Sequence, residues 1–133
     1  ESGIITDLPE DSFVVDIGAN IGWFTLLALA LGHRVMAFEP MQSNIELLRH
    51  SLCLNPGLEE GLQLHEVALT DNSGCVLGSH SQNAGDGVLL CEEQVQSTEH
   101  DRKSDVVLAR LDAFLQPGVQ VDLLKIDVEG HEL

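Results

Sequence analysis

The acid Asp16 and the two glycines that follow it, Gly18 and Gly22, have the residue types and spacing of a ligand-binding turn. Residues 14–17 form an apolar run that contains Asp16, and a turn with Gly18 and Gly22 follows. A helical apolar run then begins. Backbone N–H groups at such a junction suit a carboxylate or a phosphate, and glycine allows the backbone to approach a ligand closely. The turn is therefore predicted to hold a small ligand.

Two further acids end apolar runs in the same way. Glu39 lies 21 residues after Gly18, and Asp127 ends the last apolar run. In dinucleotide-binding folds an acid at the position of Glu39 accepts the ribose hydroxyls. A buried, unpaired Asp16 would be costly, so it is expected to meet N–H groups of the loop or a ligand cation. The ligand is therefore predicted to be a nucleoside derivative.

The turn departs from the dinucleotide fingerprint G-x-G-x-x-G. Asn20 stands at the second glycine of that pattern and Trp23 at the third. A large indole does not suit the close approach of a pyrophosphate, which disfavours NAD. Asp16 indicates a ligand with a cation near the turn. A ligand with ammonium, carboxylate and ribose groups fits S-adenosylmethionine better than NAD.

The elements that must position these acids alternate between strands and helices. Apolar runs predict strands near residues 13–17, 35–40, 62–69 and 121–127, with helices over 21–31 and from Ser43 to just before Asn55. Ser43 and Glu46 resemble a capping box at the start of the second helix. The alternation predicts an α/β domain with a parallel sheet. Its ligand-binding edge is the carboxyl end of the strands, where all three acids fall.

Length, charge and cysteine content limit the partners and the location that can be expected for the chain. A length of 133 residues fits one domain, and a formal net charge of −16 argues against nucleic-acid or anionic-membrane partners. Three cysteines without a C-x-x-C pair favour a reducing compartment, and no apolar run approaches the ~20 residues of a membrane span. A cytoplasmic location without membrane insertion is expected. Both termini, Glu1 and Leu133, look cut.

Five segments carry a resemblance to a known family. They are VVDIGANIGWFT, AFEP, VALTDNSG, ARLDAFL and VDLLKIDVEGHEL, in that order. From about Phe13 to Leu133 the chain resembles class I S-adenosylmethionine-dependent methyltransferases of the FkbM type. The resemblance implies a three-layer Rossmann-like fold with a mostly parallel central sheet. It also implies a single domain over residues 1–133 that is incomplete at its C-terminus.

The resemblance further implies a cofactor, an acceptor and roles for particular residues. The cofactor is S-adenosylmethionine, and the reaction is O-methylation of a small-molecule or glycan hydroxyl by direct displacement. The residues expected around the methionine part, the ribose and the adenine are, in that order, Asp16, Gly18, Asn20 and Gly22, then Glu39, then Val67 and Ala68. Asp127 and Glu129 are expected to face the methyl acceptor, and one of them would act as the general base.

Other interpretations remain open beside this one. The same fold could serve as a non-catalytic nucleoside-binding module, or as an NAD-dependent oxidoreductase. Asp127 and Glu129 could cap the segment that follows them, and no metal site is expected from the acids and histidine near the C-terminus. Trp23 and Phe24 are expected in the core, and Asp112 is expected to cap a helical turn. The histidines are expected at the surface rather than as ligands, namely His33, His50, His65, His80 and His100.

Overall fold

A central four-stranded parallel sheet organises the molecule. The structure, a computed structural model, describes residues 2–71, 75–80, 83–91 and 107–128. The strands in chain order are β1 (Phe13–Ile17), β2 (Arg34–Phe38), β3 (Leu62–His65), β4 (Val67–Leu69), β5 (Cys75–His80), β6 (Asn83–Cys91), β7 (Val107–Ala109) and β8 (Leu123–Ile126). The central sheet has the order β3-β2-β1-β8, while β4 pairs with β7 in parallel and β5 with β6 antiparallel.

The described residues also form three α-helices. They are α1 (Ser2–Thr6), α2 (Trp23–Ala30) and α3 (Gln42–Cys53), with short 3-10 turns at Leu58–Gly61 and Leu111–Ala113. From β1 the chain runs through α2 to β2 and through α3 to β3. It later returns to the opposite side of β1 to form β8. Strand order therefore reverses between β1 and β8, and in open α/β sheets ligands bind outside the carboxyl ends of the strands at such a point.

Both faces of the central sheet are covered by apolar side chains. On one face Val14, Val35 and Ala37 pack with Phe24 and with further residues of α2. On the other face, the inward residues of β1 and β2 pack against residues of β4 and of the segment 111–115. Successive side chains of a strand point to opposite faces. Strands buried on both sides therefore need continuous apolar runs, which is the pattern in the sequence.

The predicted α/β class with a mostly parallel sheet is confirmed, and three local predictions are corrected. The run 62–69 forms two strands in different sheets, because the chain leaves the central sheet at Glu66. Helix α3 begins at Gln42 with Met41 as its N-cap, so Ser43 lies within the first turn and does not form the predicted capping box. Asp112 lies inside a 3-10 turn that has Arg110 as its N-cap. The predicted loop over 94–104 lies outside the described residues.

Two of the histidines expected at the surface lie inside the fold. His33 is only 4% exposed, and the half-buried ring of His65 lies between Phe38 and Phe114, with ring centroids 5.1 Å and 4.4 Å away. The Nε2 atom of His65 is buried and has no hydrogen-bond partner among the described residues. This burial lowers the pKa of His65. His50 is exposed, as expected.

The lowered pKa makes folding depend on pH. The unfolded chain binds a proton at His65 more readily than the folded chain, so this residue stabilises the fold above its unfolded pKa of 6.5. That contribution is lost as the pH falls from there through the lower folded pKa. We expect the His65→Phe variant to lose less stability than the wild type between pH 7.5 and acidic pH, measured by thermal unfolding. Equal losses in the two proteins would contradict the prediction.

Candidate active site

Glu39 joins the turn after β1 to the start of α3. The residue is only 4% exposed. Its carboxylate accepts hydrogen bonds from the backbone N–H of Asn20 at 2.8 Å and of Met41 at 2.9 Å. A third bond comes from the side-chain amide of Asn44 at 3.2 Å. A buried carboxylate needs such donors, and it has about four acceptor positions. The three bonds therefore leave room for a ligand hydroxyl.

Asp16 is completely buried beneath the turn and is paired within the chain. Its Oδ2 atom accepts a hydrogen bond of 2.6 Å from the Thr25 hydroxyl, and its Oδ1 atom accepts one of 3.0 Å from Lys125 Nζ. Its partners within the chain are therefore two side chains, and not the loop N–H groups that the sequence predicted as one alternative. In the parallel register Asp16 lies opposite Lys125. The charge within β1 is thus neutralised by the neighbouring strand.

Gly18 allows the ends of β1 and β8 to come together. Its φ angle is +78°, and a Cβ atom at this position would lie 1.9 Å from the backbone oxygen of Asp127. At Gly22, where φ is +91°, a Cβ would lie 2.2 Å from a side-chain carbon of Leu48. The sequence prediction explained both glycines by the close approach of a ligand. In the structure the space that each leaves is filled by the protein itself.

The N–H groups of the turn are also used within the chain. Those of Gly18 and Ala19 donate to the carbonyl oxygen of Phe38, and that of Gly22 donates to Ala19. The N–H of Ile21 donates to the side-chain oxygen of Asn20, which has a φ of +54°. Asparagine tolerates this left-handed conformation better than most residues. With the Asn20–Glu39 bond, every N–H from residue 18 to 22 has an acceptor.

A cavity of about 300 Å³ lies beside the turn. Its lining combines apolar side chains with one cation and one anion, and consists of Ala19, Asn20, Ile21, Trp23, Phe24, Lys125 and Asp127. Trp23 is 62% exposed, so its predicted core position is wrong, whereas Phe24 is 8% exposed and lies in the core as predicted. The volume is at the lower end for small-molecule sites.

The predicted site residues separate into three groups. Asn20 and Asp127 line the cavity, and Asp127 is exposed just beyond β8. Four other predicted site residues shape the turn but do not line the cavity, namely Asp16, Gly18, Gly22 and Glu39. Val67 and Ala68 lie in β4, where Ala68 is buried and Val67 packs against the second face of the sheet. Glu129 lies outside the described residues.

The sequence reasoning missed Lys125 and Thr25. Lys125 donates to the carbonyl oxygen of Gly18 at 3.0 Å as well as to Asp16, and its Nζ lies 5.7 Å from the centroid of the Phe24 ring. A usable signal was present in the two apolar runs VVDI and LLKI, each of which carries one charge at its third position. Aligning them side by side brings opposite charges into register.

Within the part of the chain that the structure describes, there is no helix with the length and apolar character needed to cross a bilayer. In the same residues, no group of three or more histidine, cysteine, aspartate or glutamate side chains is arranged to hold a metal ion.

Comparison with known proteins identifies similar sequences. Residues 16–133 match the family model described as the methyltransferase FkbM domain. Methyltransferase sdnD of Sordaria araneosa is 32% identical, over 97% of this chain and 61% of its own length. Methyltransferase 1 of Beauveria bassiana is 30% identical, over 97% of this chain and 59% of its own. The chain therefore spans about three fifths of these two curated relatives.

A solved structure shares the fold. The crystal structure of a methyltransferase FkbM from Methylobacillus flagellatus superposes with a TM-score of 0.57 and is 18% identical in sequence. The match covers 92% of this chain and 28% of that protein. At this identity the likeness concerns the fold alone.

Proposed function

Because the chain belongs to the FkbM methyltransferase family, we propose that it binds S-adenosylmethionine and directs its methyl group to a hydroxyl of a small molecule or glycan. The observation that carries this proposal is the grouping of the Gly18 turn, Glu39 and Asp127 around the carboxyl ends of β1, β2 and β8. The cavity opens beside this edge, at the reversal of strand order.

The residues around the turn fit the proposed cofactor. The carboxylate of Glu39 retains acceptor capacity for a ribose hydroxyl, and the turn holds it in place through Asn20. Asp16, Gly18 and Gly22 fix the shape of the turn against which the methionine part would lie. Val67 and Ala68 are proposed to lie towards the adenine. S-adenosylmethionine supplies an activated methyl group when bound.

The contribution of the chain to the reaction is alignment and proton removal. The turn and the end of β8 would hold the acceptor oxygen in line with the methyl group. Such positioning can contribute on the order of 7–11 kcal/mol to lowering the barrier. Asp127 is exposed at the cavity, and its backbone N–H donates to Ile17 O at 2.9 Å, which fixes its position. We propose its carboxylate as the group that accepts the hydroxyl proton, with Glu129 as the other candidate from the sequence.

Calorimetric titration tests the binding part of the proposal. The protein is expected to bind S-adenosylhomocysteine in preference to NADH. Formation of S-adenosylhomocysteine from added S-adenosylmethionine in the presence of a panel of hydroxylated acceptors tests the transfer. Binding without transfer to any acceptor would favour the non-catalytic module. Preference for NADH would refute the proposed function.

The Asp127→Asn variant separates binding from catalysis. We expect affinity for S-adenosylhomocysteine to stay within about threefold of the wild type. Turnover is expected to fall on the order of 10²-fold to 10⁴-fold, the usual contribution of a general base. Turnover at the wild-type rate, with unchanged affinity, would exclude Asp127 as the base.

A further inference from the structure

On the basis of the proposed function, we propose that Lys125 recognises the carboxylate of the amino-acid end of the methyl donor. Lys125 lines the cavity, and its side chain is 25% exposed. An ammonium group has three N–H donors. Two bonds are formed, to Asp16 Oδ1 and to Gly18 O. One donor is therefore left for a ligand in the cavity.

The charges around the cavity place a ligand carboxylate at this ammonium. Among the seven lining residues, Lys125 is the one cation and Asp127 the one anion. Asp16 has an exposed fraction of zero, whereas its partner Lys125 reaches the cavity. A ligand therefore meets the ammonium and not the buried carboxylate. This is the opposite of the sequence prediction, in which Asp16 itself met a ligand cation.

The backbone N–H groups of residues 18–22 do not compete with Lys125 for an anion. Each backbone N–H from residue 18 to 22 already donates to an acceptor of the chain. An anion beside the turn would have to displace one of these bonds to use them. Lys125 accepts an anion without breaking either of its two bonds. Recognition of the carboxylate by Lys125 therefore leaves the observed hydrogen bonds of the turn intact.

A pair of ligands that differ by one carboxylate tests this role. S-adenosylhomocysteine carries it, and its decarboxylated analogue S-adenosyl-3-thiopropylamine does not. We expect the wild type to prefer the former by roughly 10-fold to 100-fold, the range for a charge-assisted hydrogen bond. The Lys125→Met variant should lose most of that preference, while its affinity for the analogue stays within about threefold. Calorimetric titration measures all four affinities.

Two further variants separate recognition from support of the turn. Thr25→Val removes the other hydrogen bond to Asp16, and Thr25 is not among the cavity-lining residues. It should weaken both ligands alike if at all. Lys125→Arg retains the charge and should keep a preference for the carboxylate, which also provides a measurement if Lys125→Met does not fold.

The outcomes distinguish this role from the proposed function. If Lys125→Met weakens both ligands equally, or if the wild type binds both equally, the role of Lys125 is refuted while the proposed cofactor stands. If the wild type binds neither ligand, the proposed function fails, and the role of Lys125 fails with it.

Discussion

Replacing Gly18 by alanine is expected to destabilise the chain by more than about 4 kcal/mol, which is at the extreme of single substitutions. The added Cβ would lie 1.9 Å from the backbone oxygen of Asp127, and a φ of +78° is unfavourable for alanine. Backbone atoms cannot move aside as a flexible side chain can. The end of β8 would have to separate from β1. Urea denaturation measures the loss, and binding of S-adenosylhomocysteine should be lost with it.

Gly32→Ala is a matched control for this variant. Gly32 has a φ of +84°, but nothing lies within 4 Å of the position of its added Cβ. It isolates the conformational cost of a left-handed alanine, roughly 1–2 kcal/mol. Similar losses of stability in Gly18→Ala and Gly32→Ala would show that the contact with Asp127 contributes nothing.

The fold class and the position of the candidate site were predictable from local patterns. Short apolar runs rich in β-branched residues that alternate with helical segments indicate a parallel sheet. Residues that follow such runs lie at one edge of the sheet. Asp16, Glu39 and Asp127 were placed at that edge without any knowledge of tertiary contacts. Their roles as cofactor or catalytic residues remain predictions.

The partners of these residues could not be predicted from any one strand taken alone, since the signal for the Asp16–Lys125 pair appears only when two distant runs are aligned. Asp16 and Lys125 are 109 residues apart in sequence, and only the register of β1 against β8 brings them together. The glycines illustrate the same limit. A sequence indicates that Gly22 has no side chain, but not that Leu48 of α3 occupies the space. Both features depend on tertiary packing.

Local patterns also did not predict which residues of an apolar segment are exposed to solvent. Trp23 and Phe24 are adjacent and similarly apolar, yet one is 62% exposed and the other 8%. Trp23 is the first residue of α2, directly after Gly22, and the direction of the helix start decides which side chain enters the core. His65 is the opposite case, a polar residue that lies inside the fold, where its ring packs against those of Phe38 and Phe114.

Asp16→Asn is expected to cost about 3 kcal/mol of folding free energy, the lower end of the range for breaking a buried ion pair. The amide can still accept a hydrogen bond from Thr25. It cannot neutralise Lys125, because it carries no charge. The cost falls at the lower end because the side chain of Lys125 is 25% exposed and can reach water. Urea denaturation at neutral pH gives the value.

The same substitution at an exposed ion pair is the control. Asp11 pairs with Arg34 at 3.1 Å, and the two side chains are 75% and 59% exposed. Asp11 has a φ of +59°, which asparagine also tolerates, so Asp11→Asn should cost less than about 1 kcal/mol. High salt should remove even that, because it screens exposed charges, while the loss in Asp16→Asn should persist. If salt abolishes both losses, the Asp16–Lys125 pair is accessible to solvent and does not hold β1 and β8 together.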